Sequence, residues 1–518
     1  MTRQRLPIGI QYFTRLRESN SYYVDKTPLI QDLIERGDHY FLSRPRRFGK
    51  SLLLDTIKTL FEGRKDLFEG LAIYDHWDWS VSYPVVRLSF DRIYREPRDI
   101  ERSILSQLNE IEQEATLSTS IWQTAPEYLS DVLYRLHRKT GRPVVVLIDE
   151  YDIPILDLLT EPEQARNNRN YLRGFYRTIK GSAEHIRFVF VTGISMFSKV
   201  SLFSGLNNLE DISLNPHFST ICGYTDEDLD TVFEPELTDV DRDKVRTWYN
   251  GYNWRGEARL YNPFDLLLFF RNREFKPHWF ETGSPTFLLQ TLMQKRVTPP
   301  DLEGVLADES LLSKFDIDDI SAEALMFQTG YLTITQEVSA GHRTAYRLNY
   351  PNQEVRLGLN DEFLTYLSPK HRIPDAEGHD LCALLEAQDF SGFAETLHAL
   401  LSDIPYQWDQ TTNLADYEAW YASLLLMCFR SIGVSVKKEE SSIRGRADMI
   451  VELGEKVFVF EFKLADSAAK THSALEEALK QMRHQGYGEP YKKRTVQLVA
   501  VAFVRKLTSP LEVRAEPL

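Results

Sequence analysis

The feature that most constrains the fold is an apolar strand that ends in two acidic residues. The run Pro143-Val-Val-Val-Leu-Ile-Asp149-Glu150 is apolar without interruption until its last two positions. A strand covered on both faces has this composition, and such strands are typical of parallel sheets. Three shorter apolar runs alternate with helical stretches, at 39–43, 85–90 and 188–193. The sequence therefore predicts an α/β unit with a parallel sheet and helices on both of its faces.

The loop after the first of these runs carries a phosphate-binding pattern. It reads Arg44-Pro-Arg-Arg-Phe-Gly-Lys-Ser51 and leads into a helical stretch. In such loops backbone N–H groups hold the phosphates, the lysine reaches the β/γ-phosphates and the serine hydroxyl binds magnesium. Arg44 replaces the first glycine of the general pattern, so a basic loop that only caps the helix is an open alternative. The residues predicted to bind nucleotide here are Arg46, Arg47, Phe48, Gly49, Lys50 and Ser51.

The acidic strand supplies the second half of this prediction. At the carboxyl edge of a parallel sheet, Asp149 is placed to hold magnesium and Glu150 to polarise the water that attacks a γ-phosphate. Thr192, near the end of the run 188–193, lies where a γ-phosphate sensor is expected. Acids at a strand end are also ordinary solvated turn residues. Strand, loop, helix and acidic strand in this order favour a P-loop fold that binds ATP.

These motifs resemble those of bacterial AAA-ATPase-like proteins that carry a PD-(D/E)XK nuclease domain at the C-terminus. The resemblance rests on residues 44–52 and on Ile148-Asp-Glu-Tyr-Asp152, and an arginine-rich loop without the first glycine is usual in that family. Four further stretches resemble the family: Trp248-Tyr-Asn-Gly-Tyr252, Tyr261-Asn-Pro-Phe264, Phe280-Glu-Thr-Gly283 and Gln328-Thr-Gly-Tyr331. Their residues favour turns packed under aromatic rings, with a base-stacking surface as the alternative.

A β-hairpin is predicted near the C-terminus. The strand-like runs 446–453 and 456–463 are separated only by a Gly-Glu dipeptide, and a two-residue loop is a strong hairpin signal. In the register that this turn imposes, Asp448 lies opposite Glu461, and Lys463 projects from the same face. Two carboxylates and an ammonium group therefore converge.

Opposed carboxylates on one sheet face repel each other unless something compensates them. A hard divalent cation with oxygen ligands is the natural compensator, which predicts Mg²⁺ or Mn²⁺ between Asp448 and Glu461. The carbonyl of Phe462 would complete the ligand set, and Lys463 would position or activate the attacking water. A surface hairpin with a lone Glu/Lys pair is the alternative, although the Phe and Val residues of the second run indicate that both faces are buried.

The hairpin resembles the core of the PD-(D/E)XK nucleases. Asp448 followed by Glu461-Phe-Lys463 matches the family pattern. The resemblance implies an upstream helix glutamate, Glu418, as a further metal ligand or water contact. It also implies a downstream helix glutamine, Gln481, as part of the catalytic set.

The chain has 518 residues, which is enough for about three domains. We expect an AAA-like P-loop ATPase core over 1–225, a helical lid and middle region over 226–375, and a restriction-endonuclease-like α/β domain over 376–518. The lid is placed by Thr225-Asp-Glu-Asp-Leu, because a threonine cap followed by acids favours the start of a helix.

The predicted function is an ATP-binding and ATP-hydrolysing, magnesium-dependent nuclease that acts on DNA, with RNA as the alternative substrate. A nucleotide-dependent switch or scaffold that binds nucleic acid or a protein partner without cleaving is the competing hypothesis. AAA-like ATPases often take an arginine from a neighbour, which suggests a homo-oligomer. No apolar run is long enough to span a membrane, so we expect a cytoplasmic protein. The resemblance further implies a link with mobile elements or defence against foreign DNA.

Overall fold

A computed structural model describes residues 3–118, 122–196, 202, 206, 208–280, 286–295, 297–312, 321–340, 343–367, 376–402, 414–442, 445–504 and 511–518. The chain divides into two compact units. The first unit consists of residues 1–282 and 302–355, and the second consists of residues 283–301 and 356–518. The boundaries of the three domains that are expected from the sequence stay a prediction.

Helices make up much of both units. The α-helices of the described chain are α1 (Phe13–Glu18), α2 (Thr27–Arg36), α3 (Lys50–Phe61), α4 (Pro97–Glu114), α5 (Ala125–Thr140), α6 (Ile153–Leu156), α7 (Pro162–Gly181), α8 (Asp226–Val232), α9 (Arg242–Tyr249), α10 (Pro263–Asn272), α11 (Thr286–Gln294), α12 (Glu309–Leu312), α13 (Ala322–Gln328), α14 (Gln353–Leu367), α15 (Ala376–Ala387), α16 (Phe390–Ser402), α17 (Leu414–Ser431) and α18 (Thr471–Gln485).

The first unit is built on a parallel sheet with helices on both faces. Its strands are β1 (His39–Ser43), β2 (Val85–Ser89), β3 (Val144–Asp149), β4 (Ile186–Gly193) and β5 (Glu210–Asp211). They lie in the order β2-β3-β4-β1-β5, and every neighbouring pair is parallel. Every residue of β3 is buried, as its apolar composition predicted. Because β1 lies beside β4 and not beside β2, the loop after β1 opens into the crevice where open α/β sheets bind ligands.

The helical region after this sheet begins with a capped helix. The Thr225 hydroxyl accepts the backbone N–H of Asp228 at 3.0 Å, and the Asp228 carboxylate accepts the N–H of Thr225 at 2.8 Å. This reciprocal pair satisfies N–H groups that have no partner within the helix. It starts α8 at the position that the Thr225 motif predicts.

A small antiparallel sheet also belongs to the first unit. Its strands are β6 (Leu306–Asp308), β7 (Thr333–Ala340) and β8 (Arg343–Asn349), with β8 in the centre. The turn between α13 and β7 contains Gly330 at φ +91°. A Cβ atom at that glycine would lie 2.6 Å from the ring of Pro45, so close packing against the phosphate-loop motif requires glycine here.

The second unit contains a five-stranded sheet. Its strands are β9 (Ser435–Ser442), β10 (Gly445–Leu453), β11 (Lys456–Ala465), β12 (Thr495–Val504) and β13 (Glu512–Pro517). They lie in the order β13-β12-β11-β10-β9, and β11 and β12 form the parallel pair. The core beside α18 includes Val457, Val459 and Leu479. On the opposite face the rings of Phe393 and Phe429 lie against Phe460. Both faces of β11 are therefore buried, as predicted.

The predicted hairpin is confirmed with its register. Leu453 pairs with Lys456 across the turn, and the pairing continues without a shift to Met449 and Phe460. The described pairing ends there, so the opposition of Asp448 and Glu461, one step further along this register, stays a prediction. No helix in the described part of the chain is long and apolar enough to cross a membrane.

Candidate functional site

The phosphate-loop motif of the first unit adopts a tight turn between β1 and α3. Arg47 and Gly49 have positive φ values of +69° and +93°, and the helix begins at Lys50. The buried Lys50 ammonium donates hydrogen bonds to the carbonyls of Arg44 at 2.9 Å and Pro45 at 3.0 Å. Burial lowers the pKa of Lys50, while nearby carboxylates, first among them Glu150, oppose that shift. A cation is therefore held beneath the loop at the helix N-terminus, which is the arrangement that favours a bound phosphate.

Arg44, which stands in place of the first glycine, supports the loop from behind. Its side chain is fully buried and donates to the carbonyls of Ser43 at 2.8 Å and Ser213 at 2.9 Å. Its guanidinium group lies 4.2 Å from the ring centre of Trp254. Burial lowers the pKa of Arg44 to about 10, so the group stays charged at neutral pH. Arg44 is thus a structural anchor, which explains how the loop forms without the first glycine.

The aromatic motifs form the wall behind the same loop. Phe48 packs edge-on against Tyr252 and Trp254, with ring centres 4.9 and 5.0 Å apart. Tyr249, Tyr252 and Tyr261 are essentially unexposed. Rings in this position cannot stack on a nucleobase in solution, so their burial favours the turn-packing interpretation over a base-stacking surface. Residues 281–283 of the third motif lie outside the described residues.

A cavity of about 450 Å³ opens over the loop. The loop supplies its basic wall with residues 46–51, and apolar groups supply the opposite walls. Those groups include Ile10, Tyr23, Val24, Ile221, Pro263, Phe264 and Leu267. The guanidinium of Arg47 lies 4.5 Å from the ring centre of Phe264, between the two kinds of wall. A cavity with one cationic side and one apolar side suits a ligand that carries both phosphates and an aromatic base.

The acidic end of β3 lies beside the loop. Asp149 is buried, and Thr192 on β4 donates its hydroxyl to Asp149 Oδ1 at 2.9 Å. Glu150 has a positive φ of +52° and lines the cavity. Burial raises the pKa of Glu150, while Lys50 opposes that rise. The structure therefore brings together Lys50 at the start of α3, Asp149 and Glu150 at the end of β3, and Thr192 on β4.

Two supporting groups at this edge were missed in the sequence. Asp152 is fully buried and accepts the backbone N–H groups of Ile194 at 3.0 Å and Ser195 at 2.6 Å, which fixes the segment after β4. Arg87 on β2 donates to Asp149 Oδ2 at 3.3 Å. The available signal for Arg87 was a single charge inside the apolar run 85–90.

The second unit holds the other predicted cluster. Glu461 is 2% exposed, and its Oε1 accepts hydrogen bonds from Gln481 Nε2 at 2.5 Å and Lys463 Nζ at 3.2 Å. Asp448 Oδ2 accepts the backbone N–H of Phe462 at 2.9 Å. An ammonium group from β11 and an amide from α18 thus meet at the Glu461 carboxylate, and Asp448 on β10 is held at the backbone of the following residue.

The remaining predicted members of this cluster are less defined. Glu418 lies in α17, but its side chain is outside the described part of the structure. The ring of Phe462 packs on Phe460 and Phe503, so any contribution of this residue to the site is a backbone one. Tyr487, which sequence reasoning missed, accepts from Gln481 Nε2 at 3.4 Å.

The donor chemistry of the second cluster fits a hard cation. Asp448 and Glu461 offer carboxylate oxygens, which Mg²⁺ and Mn²⁺ prefer. Within the described residues, His, Cys, Asp and Glu form no group of three or more that is arranged to hold a metal ion. Two carboxylates would be enough for Mg²⁺, which binds few protein carboxylates and keeps several waters.

Comparisons with known proteins match both regions. Residues 7–203 match a family described as AAA-ATPase_like, Predicted AAA-ATPase, and residues 416–508 match the PD-(D/E)XK nuclease superfamily. A protein of Azotobacter chroococcum mcd 1, described as an uncharacterized protein in vnfD 5'region, is 47% identical over 509 residues. That alignment covers 98% of this chain and 97% of the relative. The chain belongs to this family of AAA-ATPase-like proteins with a C-terminal PD-(D/E)XK domain.

The two matched ranges contain the two clusters described above. The AAA-ATPase-like range includes the phosphate-loop motif, Asp149 and Thr192, and the nuclease range includes Asp448, Glu461 and the residues around them. A solved structure of the Aeropyrum pernix ORC1 protein in complex with DNA covers 66% of this chain and 94% of its own, at 14% identity. The TM-score of this alignment is 0.24, which is too low to indicate a shared fold. Family membership therefore rests on the sequence matches.

Proposed function

We propose that this AAA-ATPase-like PD-(D/E)XK protein is a magnesium-dependent nuclease that acts on DNA and binds and hydrolyses ATP. The observation that carries the proposal is the buried Glu461 carboxylate, which accepts hydrogen bonds from Lys463 and Gln481, while the Asp448 carboxylate accepts the N–H of the next residue, Phe462. A carboxylate that is only 2% exposed is costly to bury, and a bound cation would compensate its charge.

Each residue has a distinct role in the proposed cleavage. Asp448 and Glu461 would hold the cation, with Glu418 and the Phe462 carbonyl as further ligands. The cation supplies charge neutralisation at the phosphate and a more acidic bound water. Lys463 orients the attacking water, and Gln481 keeps the Glu461 carboxylate in place through their 2.5 Å hydrogen bond.

We also propose that the phosphate-loop cavity binds and hydrolyses ATP. Lys50 and the N–H groups of residues 46–51 would bind the phosphates, and Ser51 and Asp149 would hold magnesium. Glu150 polarises the attacking water, and its raised pKa makes it a better proton acceptor than a solvated glutamate. Thr192, whose hydroxyl donates to Asp149, would act as the γ-phosphate sensor.

The direct test is cleavage by the full-length protein. Wild type and Asp448→Ala are incubated with Mg²⁺ and with plasmid DNA, single-stranded DNA or RNA, each with and without ATP. We expect wild type to cut DNA and the variant to be inactive. Glu455→Gln, an exposed residue in the hairpin turn, is the matched control and should retain activity. Equal activity in wild type and Asp448→Ala would remove the proposed site.

A switch or scaffold that binds nucleic acid or a protein partner without cleaving is the alternative function. That function predicts ATP-dependent binding of nucleic acid or a protein partner by wild type and by Asp448→Ala alike, with no cleavage by either. A homo-oligomer and a role in defence or mobile-element biology rest on the family resemblance. Phage plating on cells with wild type or Asp448→Ala tests that role.

A further inference from the structure

An arginine lies between two buried carboxylates beneath the proposed magnesium–nucleotide site. Arg87 Nη1 donates to Asp55 Oδ1 at 2.7 Å, and Arg87 Nη2 donates to Asp149 Oδ2 at 3.3 Å. The arginine side chain is 18% exposed, and those of the two acids are 7% and 3% exposed. Charge pairs shielded to this degree interact more strongly than surface pairs.

The two carboxylates do not hold the arginine equally. The shorter contact is to Asp55 on α3, and the longer one is to Asp149 on β3. The other oxygen of Asp149 accepts the Thr192 hydroxyl at 2.9 Å. A cation that binds Asp149 therefore meets a carboxylate whose negative charge is already shared with Arg87. The share depends on how firmly Asp55 holds the same guanidinium group.

The other oxygen of Asp55 binds the chain segment that follows a cavity-lining stretch. Asp55 Oδ2 accepts the backbone N–H of Phe13 at 2.7 Å, at the first residue of α1. Residues 9–11, just before that helix, line the cavity. A continuous set of contacts therefore runs from a cavity wall through Phe13, Asp55 and Arg87 to Asp149.

We propose that Arg87 is a positioning residue that sets how strongly Asp149 holds the magnesium–nucleotide complex, and that Asp55 regulates it by competing for the guanidinium group. The proposal rests on the proposed nucleotide site. Loss of Arg87 leaves Asp149 more negative and strengthens magnesium binding. Loss of the Asp55 charge leaves Arg87 to Asp149 and weakens it.

The test measures nucleotide binding to the full-length protein as the Mg²⁺ concentration is varied. ATP affinity is determined by calorimetry in wild type, Arg87→Gln and Asp55→Asn. We expect the half-saturating Mg²⁺ concentration to fall by about fivefold in Arg87→Gln and to rise by about fivefold in Asp55→Asn. If Arg87 and Asp55 only stabilise the fold, both variants should weaken nucleotide binding. Shifts in the same direction, or no shift, would overturn the proposal.

A double-mutant cycle separates this proposal from general loss of structure. In an Asp149→Asn background, neither Arg87→Gln nor Asp55→Asn should move the Mg²⁺ dependence further. Arg87→Lys keeps one charge and should restore a curve within about twofold of wild type. If Arg87→Gln does not fold, the rise expected in Asp55→Asn tests the proposal by itself, and the absence of that rise would overturn it. If the nucleotide-site assignment itself is wrong, ATP affinity should be the same in wild type and Lys50→Ala. That result is distinct from the Mg²⁺ shifts that test Arg87 and Asp55.

Discussion

The two proposed sites are built in contrasting ways. At the hairpin, Asp448, Glu461 and Lys463 come from adjacent strands within a short stretch of chain, and their alignment follows from one two-residue turn. At the nucleotide site, Lys50 is the first residue of helix α3 and Asp149 is the last residue of strand β3, and distant segments support the phosphate loop that precedes Lys50. The difference teaches that a local site is sensitive mainly to its own residues, whereas a long-range site is also sensitive to its supports.

The largest effect is expected at the local site. Glu461→Gln removes a buried negative charge from the proposed metal site and should lower DNA cleavage on the order of a thousandfold. ATP affinity should stay unchanged, because the nucleotide residues lie in the other unit. Cleavage rates and calorimetry on one preparation measure both. Cleavage within tenfold of wild type would contradict the local assignment.

Arg44→Met tests the support of the long-range site. The change leaves the carbonyls of Ser43 and Ser213 without their donor and should destabilise the first unit by about 3 kcal/mol. Hydrogen exchange should show lost protection around β1 and α3, with none lost at 446–463. Arg46→Met, which removes an exposed arginine two residues away, is the stability control. Equal protection in both variants would show that the buried arginine is dispensable.

Lys50→Ala removes the ammonium group from beneath the phosphate loop. We expect ATP affinity to fall by roughly 100-fold, because a charged hydrogen bond is lost at a buried position. Glu150→Gln should bind ATP as wild type does and hydrolyse it slowly. Calorimetry and phosphate release distinguish the two variants. Unchanged ATP affinity in Lys50→Ala would refute the phosphate-loop assignment.

Gln481→Ala tests the one contribution to the hairpin site that comes from a helix. Its side chain holds Glu461 Oε1 at 2.5 Å, so its loss should reduce cleavage by about tenfold. The effect should appear as a higher Mg²⁺ requirement, since the glutamate loses its orientation. A magnesium titration of cleavage measures it. A loss as large as that of Glu461→Gln would mean that the amide acts directly in the reaction.

The smallest effect concerns pH and the first unit. Burial raises the pKa of Asp265 from 3.8 to about 8, although its hydrogen bond with Glu354 and the charge of Arg47 oppose the rise. An acid with a raised folded pKa binds more protons when folded, so stability is greatest below its unfolded pKa and is lost as pH rises toward 8. The free energy of unfolding, measured with urea, should therefore fall by about 1 kcal/mol per pH unit between pH 6 and 8. Asp265→Asn should reduce that slope without removing it, because burial also raises the pKa of the neighbouring Glu354.

Much of both sites could be predicted from the sequence, and the reasons differ. The alternation of apolar runs predicted the parallel sheet, and the loop pattern predicted the position of Lys50 at the start of α3. The Gly454-Glu455 turn predicted the strand register of the hairpin, because side chains alternate with a period of two. Arg44, Arg87 and Asp152 were missed as supports, since their partners are set by packing between distant segments.

The sequence by itself determined the elements and the local hairpin register, because periodicity and turn chemistry act over a few residues. Only the tertiary structure decided that Arg44 points into the core, that the aromatic motifs form the wall behind the loop, and that Arg87 lies between Asp55 and Asp149. Such placements depend on which strands become neighbours. The β2-β3-β4-β1-β5 order sets those neighbours over more than a hundred residues of chain, beyond the reach of any local pattern.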